Sequence, residues 1–441
     1  ISGRSRVIEI QWREAGSGNP WQSNSESVSA ATRDQIGWTF TLNLPGLITP
    51  EVRLRRTSVE ETGVKDLDRI EWFGLKSKMP YAPSSYDGVT TLALTLEGGD
   101  TISGQSENKV NAVVTRKING SATRSIADYL NYVLDDAGFE STEIDSNEID
   151  RLGGIWDGRG DTFDFIHDNH ETVHDTINRI LRAGFSKYTL RDDKITPVRD
   201  EPRSAFEHMY TPQNMTEEGL KRVVTPIRDD DVDGVDVEYF DSQTWTNETV
   251  RCRLPGDTGI RAERINVEGV TDRTRAWRIG MRLRSTMRYR RKGYTFSTEM
   301  DALNSSYWSY VALADDVPGY TQTGLILDVA GTGTVTITAS EPLEWQSGET
   351  HVIAWRRPDG TLAGPYTATQ GADDYTVIFT GDAPVVDYAQ EPPHYMFGVS
   401  QRFAHPAIIQ SISPQGFESV NVEAVNYDAR VYDYDDQEPP A

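Results

Sequence analysis

Between Asp272 and Lys292 the chain sets nine cationic side chains, Arg273, Arg275, Arg278, Arg282, Arg284, Arg288, Arg290, Arg291 and Lys292, with no acid among them. Asp272 is placed to cap a helix, and Ile279, Leu283 and Met287 recur at helical spacing as its apolar stripe, so a helix is expected over 272–291. Guanidinium groups pair bidentately with carboxylates. The chain has those in excess: 68 acidic residues against 44 basic ones, a net charge of −24 over 441 residues. The expectation is that 273–292 meets acidic surface, in the same subunit or across subunits, and that charge reversal at Arg282 and Arg288 weakens assembly. Nucleic acid is the weaker candidate partner, because the mean field of such a chain repels phosphate.

The length suggests about three domains. We expect a β-rich N-terminal domain over 1–118, a mixed α/β domain over 119–300, a β-rich domain over 301–432 and an acidic, proline-bearing linker over 433–441. In the first, Arg6–Trp12, Gly37–Leu44, Glu51–Arg56 and Thr90–Leu96 read as strands, with Trp38, Phe40, Leu42 and Leu44 on one face. Pro45-Gly46, Pro80, Pro83 and Gly98-Gly99 punctuate them, and a sandwich or open barrel is the expected outcome. In the second, helices are expected near 125–137, with Ile126, Tyr129, Leu130, Val133 and Leu134 as the stripe, and near 169–183, with Val173, Ile177, Ile180 and Leu181 inward and Gly184 as C-cap. A hairpin of Phe185–Leu190 and Lys194–Val198 turns at Arg191-Asp192-Asp193. Alternating runs at 331–339, 351–357, 362–368 and 420–427 make the third domain β-rich, with a turn at Pro358-Asp359-Gly360.

Cys252 is the sole cysteine, which excludes an internal disulfide framework and a cysteine-only zinc site. No run of 18 apolar residues offers a membrane-spanning helix, and no apolar core of a secretory signal follows Ile1. With no initiator methionine, the chain is expected to be part of a longer product.

His170-Glu171-Thr172-Val173-His174 matches the HExxH pattern, which on a helix places two imidazoles one turn apart to share a zinc while the glutamate activates water. No third ligand is marked, since Ile177 and Ile180 occupy the positions of the longer metzincin pattern. The competing expectation is structural, with Asp168 and Glu171 at N-cap and N3 spacing and neutral histidines near the helix start. Asp229-Asp230-Asp231-Val232-Asp233-Gly234 resembles the opening of a calcium loop, but Phe240 stands where the bidentate glutamate belongs, so a turn entering a strand is expected. Gly331-Thr332-Gly333 lacks the third glycine of a dinucleotide fingerprint and runs into a strand. No catalytic, cofactor-binding or metal residue is assigned. Tryptophans such as Trp21, Trp156, Trp245, Trp308 and Trp345 are expected in core or interface packing, with sugar stacking the alternative.

Several passages, taken in order, resemble the hub region of lambda-type siphophage tail-tip proteins, the tip attachment or host-specificity proteins. They are Glu51-Val52-Arg53-Leu54-Arg55-Arg56-Thr57 with Ile70-Glu71-Trp72, Lys78-Met79-Pro80-Tyr81 and Thr91-Leu92-Ala93-Leu94; the helix at 169–183 leading through Gly184-Phe185 to Lys194-Ile195-Thr196-Pro197-Val198-Arg199-Asp200-Glu201-Pro202-Arg203; Val235-Asp236-Val237-Glu238-Tyr239 with Trp245, Glu268-Gly269-Val270-Thr271 and Arg275-Ala276; and Ile408–Ile412 with Val420–Tyr427. The resemblance implies a β-rich α+β, multi-domain hub of the baseplate type. It implies a structural virion protein at the tail tip, put together in the host cytoplasm, whose homotrimeric ring closes the tube and carries the central fibre. The implied partners are the distal tail and tube proteins, the tape-measure C-terminus and, through fibre segments outside this chain, a host surface receptor. DNA only passes through during ejection, and neither an enzymatic role nor a cofactor nor stable membrane insertion is implied. The alternatives are a zinc-dependent hydrolase using His170, Glu171 and His174, and a carbohydrate-binding β-sandwich.

Overall fold

The computed structural model describes residues 3–32, 34–60, 69–78, 91–92, 112–168, 170–315, 321–387 and 389–440. Among them the chain is β-rich and multi-domain, with four α-helices, open sheets and a closed six-stranded barrel. It divides into two compact units, 1–113 and 114–441.

In the first unit Arg4–Glu14 is the middle strand of a three-stranded antiparallel sheet, between Gln22–Ala30 and Pro50–Arg56. Period-two alternation buries Ile8 and Ile10 on one face. Cross-strand ion pairs join Arg13 to Glu51 at 2.7 Å, and Arg55 to Glu9. The strand expected over Gly37–Leu44 does not form, and Trp38 is half exposed. Alternation decides which side chains share a face, but a strand also needs a neighbour for its N–H and C=O groups. Residues 37–44 meet none among the described residues. In place of a sandwich or barrel, the described part of this unit holds one open sheet. The stretches at 78–81 and 90–96, with Pro83 and Gly98-Gly99, lie wholly or partly outside the described residues.

The second unit begins with a helical layer. α1 (Ile126–Asp136) buries Ile126, Leu130 and Leu134 and stops before Gly138, whose φ is +88°. α2 (Ser146–Arg159) was not expected, because Gly153, Gly154 and Gly158 dilute its helical signal. It forms because Asp145 accepts a hydrogen bond from the Glu148 N–H at 3.2 Å, and because Ile149, Leu152 and Trp156 recur on one buried face. α3 (Val173–Arg182) follows, then the expected hairpin, Ser186–Arg191 against Lys194–Arg199, turned by Asp192 and Asp193 at positive φ. Gly184 is not the left-handed cap; Phe185 holds the positive φ, +58°. Gly184 is needed for space, since a Cβ there would lie 2.2 Å from Nε1 of Trp156, which donates to the Gly184 carbonyl at 3.0 Å.

α4 (Arg273–Tyr289) lies on a three-stranded sheet in which Gly234–Phe240 is central, antiparallel to Asn247–Cys252 and parallel to Ala262–Asn266. Its expected apolar stripe, Ile279, Leu283 and Met287, is only half buried. The face turned inward carries Ala276, Trp277, Gly280 and Met281 beside Arg275, Arg282 and Arg284. Helix and sheet approach closely at Gly280, where a Cβ would come within 2.4 Å of the Cys252 sulfur and 2.5 Å of a Val237 methyl. Burial pushes the Cys252 thiol up to about 12.

A six-stranded sheet runs in the order His208–Tyr210, Tyr310–Leu313, His405–Gln415, Ser419–Asn426, Lys292–Thr298, Lys221–Val224. The barrel (Gln322–Ala330, Gly333–Ala339, Thr376–Gly381, Leu362–Gln370, His351–Arg356, His394–Val399) is inserted between two neighbouring strands of that sheet, Tyr310–Leu313 and His405–Gln415. Ile326, Val335, Ile337, Ile353, Val377 and Phe397 fill it. Gly331 and Gly333 turn between its first two strands, and Pro358-Asp359-Gly360 makes the expected turn.

Gly280→Val should lower stability by about 1–3 kcal/mol through overpacking against Cys252 and Val237. Denaturant unfolding checks this, and unchanged stability would show that helix and sheet separate freely.

Candidate functional site

Three arginines of α4, Arg275, Arg282 and Arg284, find acids within the chain. Asp272 caps the helix by accepting from the Arg275 N–H at 2.9 Å. Arg275 reaches Asp161 at 3.4 Å, Thr162 at 3.2 Å and the Ala183 carbonyl at 3.0 Å, tying α4 to the ends of α2 and α3. Arg284 forms a fork to Asp257 at 2.8 and 2.6 Å. Arg291 donates to the Thr225 and Pro226 carbonyls and pairs with Asp231 at 2.8 Å.

Arg282 is the centre of the network. Its guanidinium grips both oxygens of Asp435, donates to the Asp200 carbonyl at 2.6 Å, and lies 4.6 Å from the ring centroids of both Phe185 and Tyr432. Arg290 forks onto Asp200 at 2.7 and 2.9 Å, and the Tyr432 hydroxyl donates to the same carboxylate at 2.6 Å. Burial pushes the Asp200 pKa up, but Arg290, Arg282 and the tyrosine hydroxyl outweigh it and hold the group below the ordinary carboxylate value. Burial likewise opposes the charge on Arg290, yet Asp200 carries its pKa above the usual value.

The acidic tail is therefore not a free linker. From Asp428 to Pro440 it packs along α4: Val431, Tyr432 and Asp435 are buried, Tyr434 meets Trp277 edge-on, and Asp436 pairs with Arg159 at 2.7 Å. Arg278 donates to the Gln437 carbonyl at 2.9 Å and Arg273 to that of Pro440 at 3.3 Å. The reason is electrostatic: arginines lining a low-dielectric groove need carboxylates, and the tail brings them. Arg282 is consequently an interior residue, whereas Arg288 is exposed. Reversing charge at Arg282 attacks the fold first, so the expectation that it reports on subunit contact is corrected. Asp161, Asp200, Asp257 and Asp435 carry no local mark in the sequence; Asp435 stands 153 residues from Arg282.

α3 begins at Val173, capped by Thr172, whose hydroxyl accepts from the Asp175 N–H at 3.1 Å. His170 and Glu171 precede the helix, so HExxH does not set two imidazoles on one helical face, and the cap expected at Asp168 is corrected. His174 lies 2.6 Å from the Tyr188 hydroxyl and 3.0 Å from the Asn178 amide, and Glu171 pairs with Arg179. In the calcium-like run, Asp233 turns back to accept from Thr258 and from the Arg261 N–H, and Asp231 is held by Arg291. Among the described residues no cluster of three or more metal-binding side chains forms, and no helix is long and apolar enough to cross a membrane.

Residues 172–327 match the model of a phage tail family described as "Putative phage tail protein". That match supports a structural protein of a phage tail, a component of the virion. No curated protein matches. Among solved structures, a chain of the virion of a native gene transfer agent particle is 13% identical, with a TM-score of 0.37, over 70% of this chain and 48% of the other. The present chain thus spans about half of that one's length. The 43 kDa tail protein of prophage MuSo2 from Shewanella oneidensis is 12% identical, TM-score 0.30, over 72% and 66%. A tail protein from Neisseria meningitidis MC58 is 12% identical, TM-score 0.27, over 57% and 67%.

Arg282→Ala should cost about 3–5 kcal/mol in urea unfolding, because Asp435 is left buried without its partner, and Arg282→Lys should recover only part of it. A loss below about 1 kcal/mol would show the groove to be hydrated. A second expectation concerns pH. The folded-state pKa of Asp200 is depressed, so its contribution is complete above the unfolded value of about 4 and is lost as pH falls through the folded value. Wild-type stability should decline below about pH 4 more steeply than that of Asp200→Asn, and equal slopes would remove Asp200 from the acid response.

Proposed function

We propose that this chain is the hub of a non-contractile phage tail tip, a homotrimeric ring that closes the tail tube and carries the central fibre for receptor attachment and DNA delivery. The observation that carries the reading is the family match over 172–327, which takes in α3, the hairpin, the sheet under α4, α4 itself and the entry to the barrel. The hub-like passages at 185–203 and 235–276 lie in the same region. The physical organisation agrees with an assembly role: polar groups gathered at α4 are spent on holding layers of one chain together, leaving the outer faces for contact with other proteins. The proposed neighbours are the distal tail and tube proteins and the tape-measure C-terminus, with DNA in passage and the virion tail tip as the location.

Antibody labelling of intact particles should decorate one end of the tail, and particles lacking this protein should have tubes that fail to terminate in a closed tip. Label spread along the whole tube would assign the chain to another part of the tail.

A further inference from the structure

The wall of the barrel parts along one seam. Its strands Leu362–Gln370 and Thr376–Gly381 pair only at Ala368 with Phe379, Thr369 with Ile378 and Gln370 with Val377. Continued, that register would set Thr367 against Thr380 and Tyr366 against Gly381. Instead 362–367 stays with His351–Arg356 and 379–381 stays with 333–335, and the two strands draw apart. The Tyr366 ring lies against Gly381, where a Cβ would come within 2.4 Å of it, so only glycine there leaves the ring its place. The parting is a cleft of about 460 Å³, within the range of about 300–1,000 Å³ in which small-ligand sites fall.

The floor of the cleft is aromatic and its rim hydroxylated. Tyr366 and Phe379 turn toward the barrel interior and stack with 5.2 Å between ring centroids, 13° from parallel. Pro365, Thr367, Thr369 and Thr380, all exposed, stand at the rim. The Thr369 hydroxyl donates to the Ile378 carbonyl at 3.1 Å. The hydroxyls of Tyr366, Thr367 and Thr380 have no hydrogen-bond partner among the described residues. Among those residues, no acid and no arginine, lysine or histidine lines the cleft. Arg357 and Asp382, which bound the two strands in sequence, pair with each other at 3.0 Å. The cleft is also accessible: Thr376–Gly381 stands opposite His394–Val399 in the barrel, and it is the latter that packs on the six-stranded sheet, through Met396.

We infer that this cleft binds a neutral saccharide chain. The rings at the floor offer an apolar surface to the C–H face of a pyranose, and the rim hydroxyls, which both donate and accept, match the hydroxyls of a sugar. With no ionic group in the lining, a phosphate or carboxylate would find no cation to replace its water, and an ammonium no carboxylate. An added peptide strand would need a continuous row of backbone donors and acceptors. Pro365 has no N–H to offer it, and the Ile378 carbonyl is already held by Thr369. The site is complete within one copy of the chain, so it gives the barrel a binding task of its own, separate from the hub reading.

The test screens the whole chain on an array of neutral oligosaccharides. Maltotriose, cellotriose and triacetylchitotriose are then titrated in solution by isothermal calorimetry, with sialyllactose as the charged control. At least one neutral glycan is expected to bind saturably, and sialyllactose is not. Thr367→Lys and Thr380→Lys, both at exposed positions, should be folded by circular dichroism and bind the same glycan at least about tenfold more weakly. If one of them misfolds, the other decides. An array on which nothing binds, binding that the folded lysine variants keep, or capture of extended peptides in place of glycans would overturn the assignment. None of these outcomes bears on whether the chain forms a ring.

Discussion

The second unit depends on one buried charge. Arg282 is held between the faces of Phe185 and Tyr432, grips Asp435 and touches Asp200, so a single guanidinium joins the helical layer, the hairpin exit and the C-terminal segment. An ion so placed is stable only while its partners stay. The surrounding pairs, Arg275 with Asp161, Arg284 with Asp257 and Arg290 with Asp200, extend the same condition along the length of α4. Five of the nine cations, Arg275, Arg282, Arg284, Arg290 and Arg291, thus pair with acids of the same chain, while Arg273, Arg288 and Lys292 are exposed.

That fastening explains how separate β layers remain in register. The strand Ser419–Asn426 belongs to the six-stranded sheet, and the chain passes directly from it to the segment that docks on α4. Lys292–Thr298 leaves the same, C-terminal end of α4 and enters the same sheet, where Asn426 accepts from the Lys292 N–H and donates to the Tyr289 carbonyl. The sheet is therefore joined to the helix through both of these strands, and the barrel, inserted between two others, packs onto the sheet through a buried cluster that includes Met209, Ala312, Val352, Ala354 and Met396.

Of the two charges expected at the subunit contact, Arg282 is interior and Arg288 is exposed.

Local patterns in the chain determined much of this protein. The stripe of α1, the Asp272 cap, the Asp192-Asp193 turn, the Pro358-Asp359-Gly360 turn and the alternation of the later strands are all short-range effects, set by side chains within a few residues of each other. The late start of α3 at Val173 is also local, decided by the competing cap at Thr172. What only the tertiary structure decided involves partners far apart in sequence: which acids meet the arginines, why Gly184 and Gly280 must be small, why 37–44 alternates without becoming a strand, and why the acidic tail is docked. A sequence displays its charges and periods, but a buried ion pair or a strand exists only when the rest of the chain delivers its partner, and that delivery is a property of the folded whole.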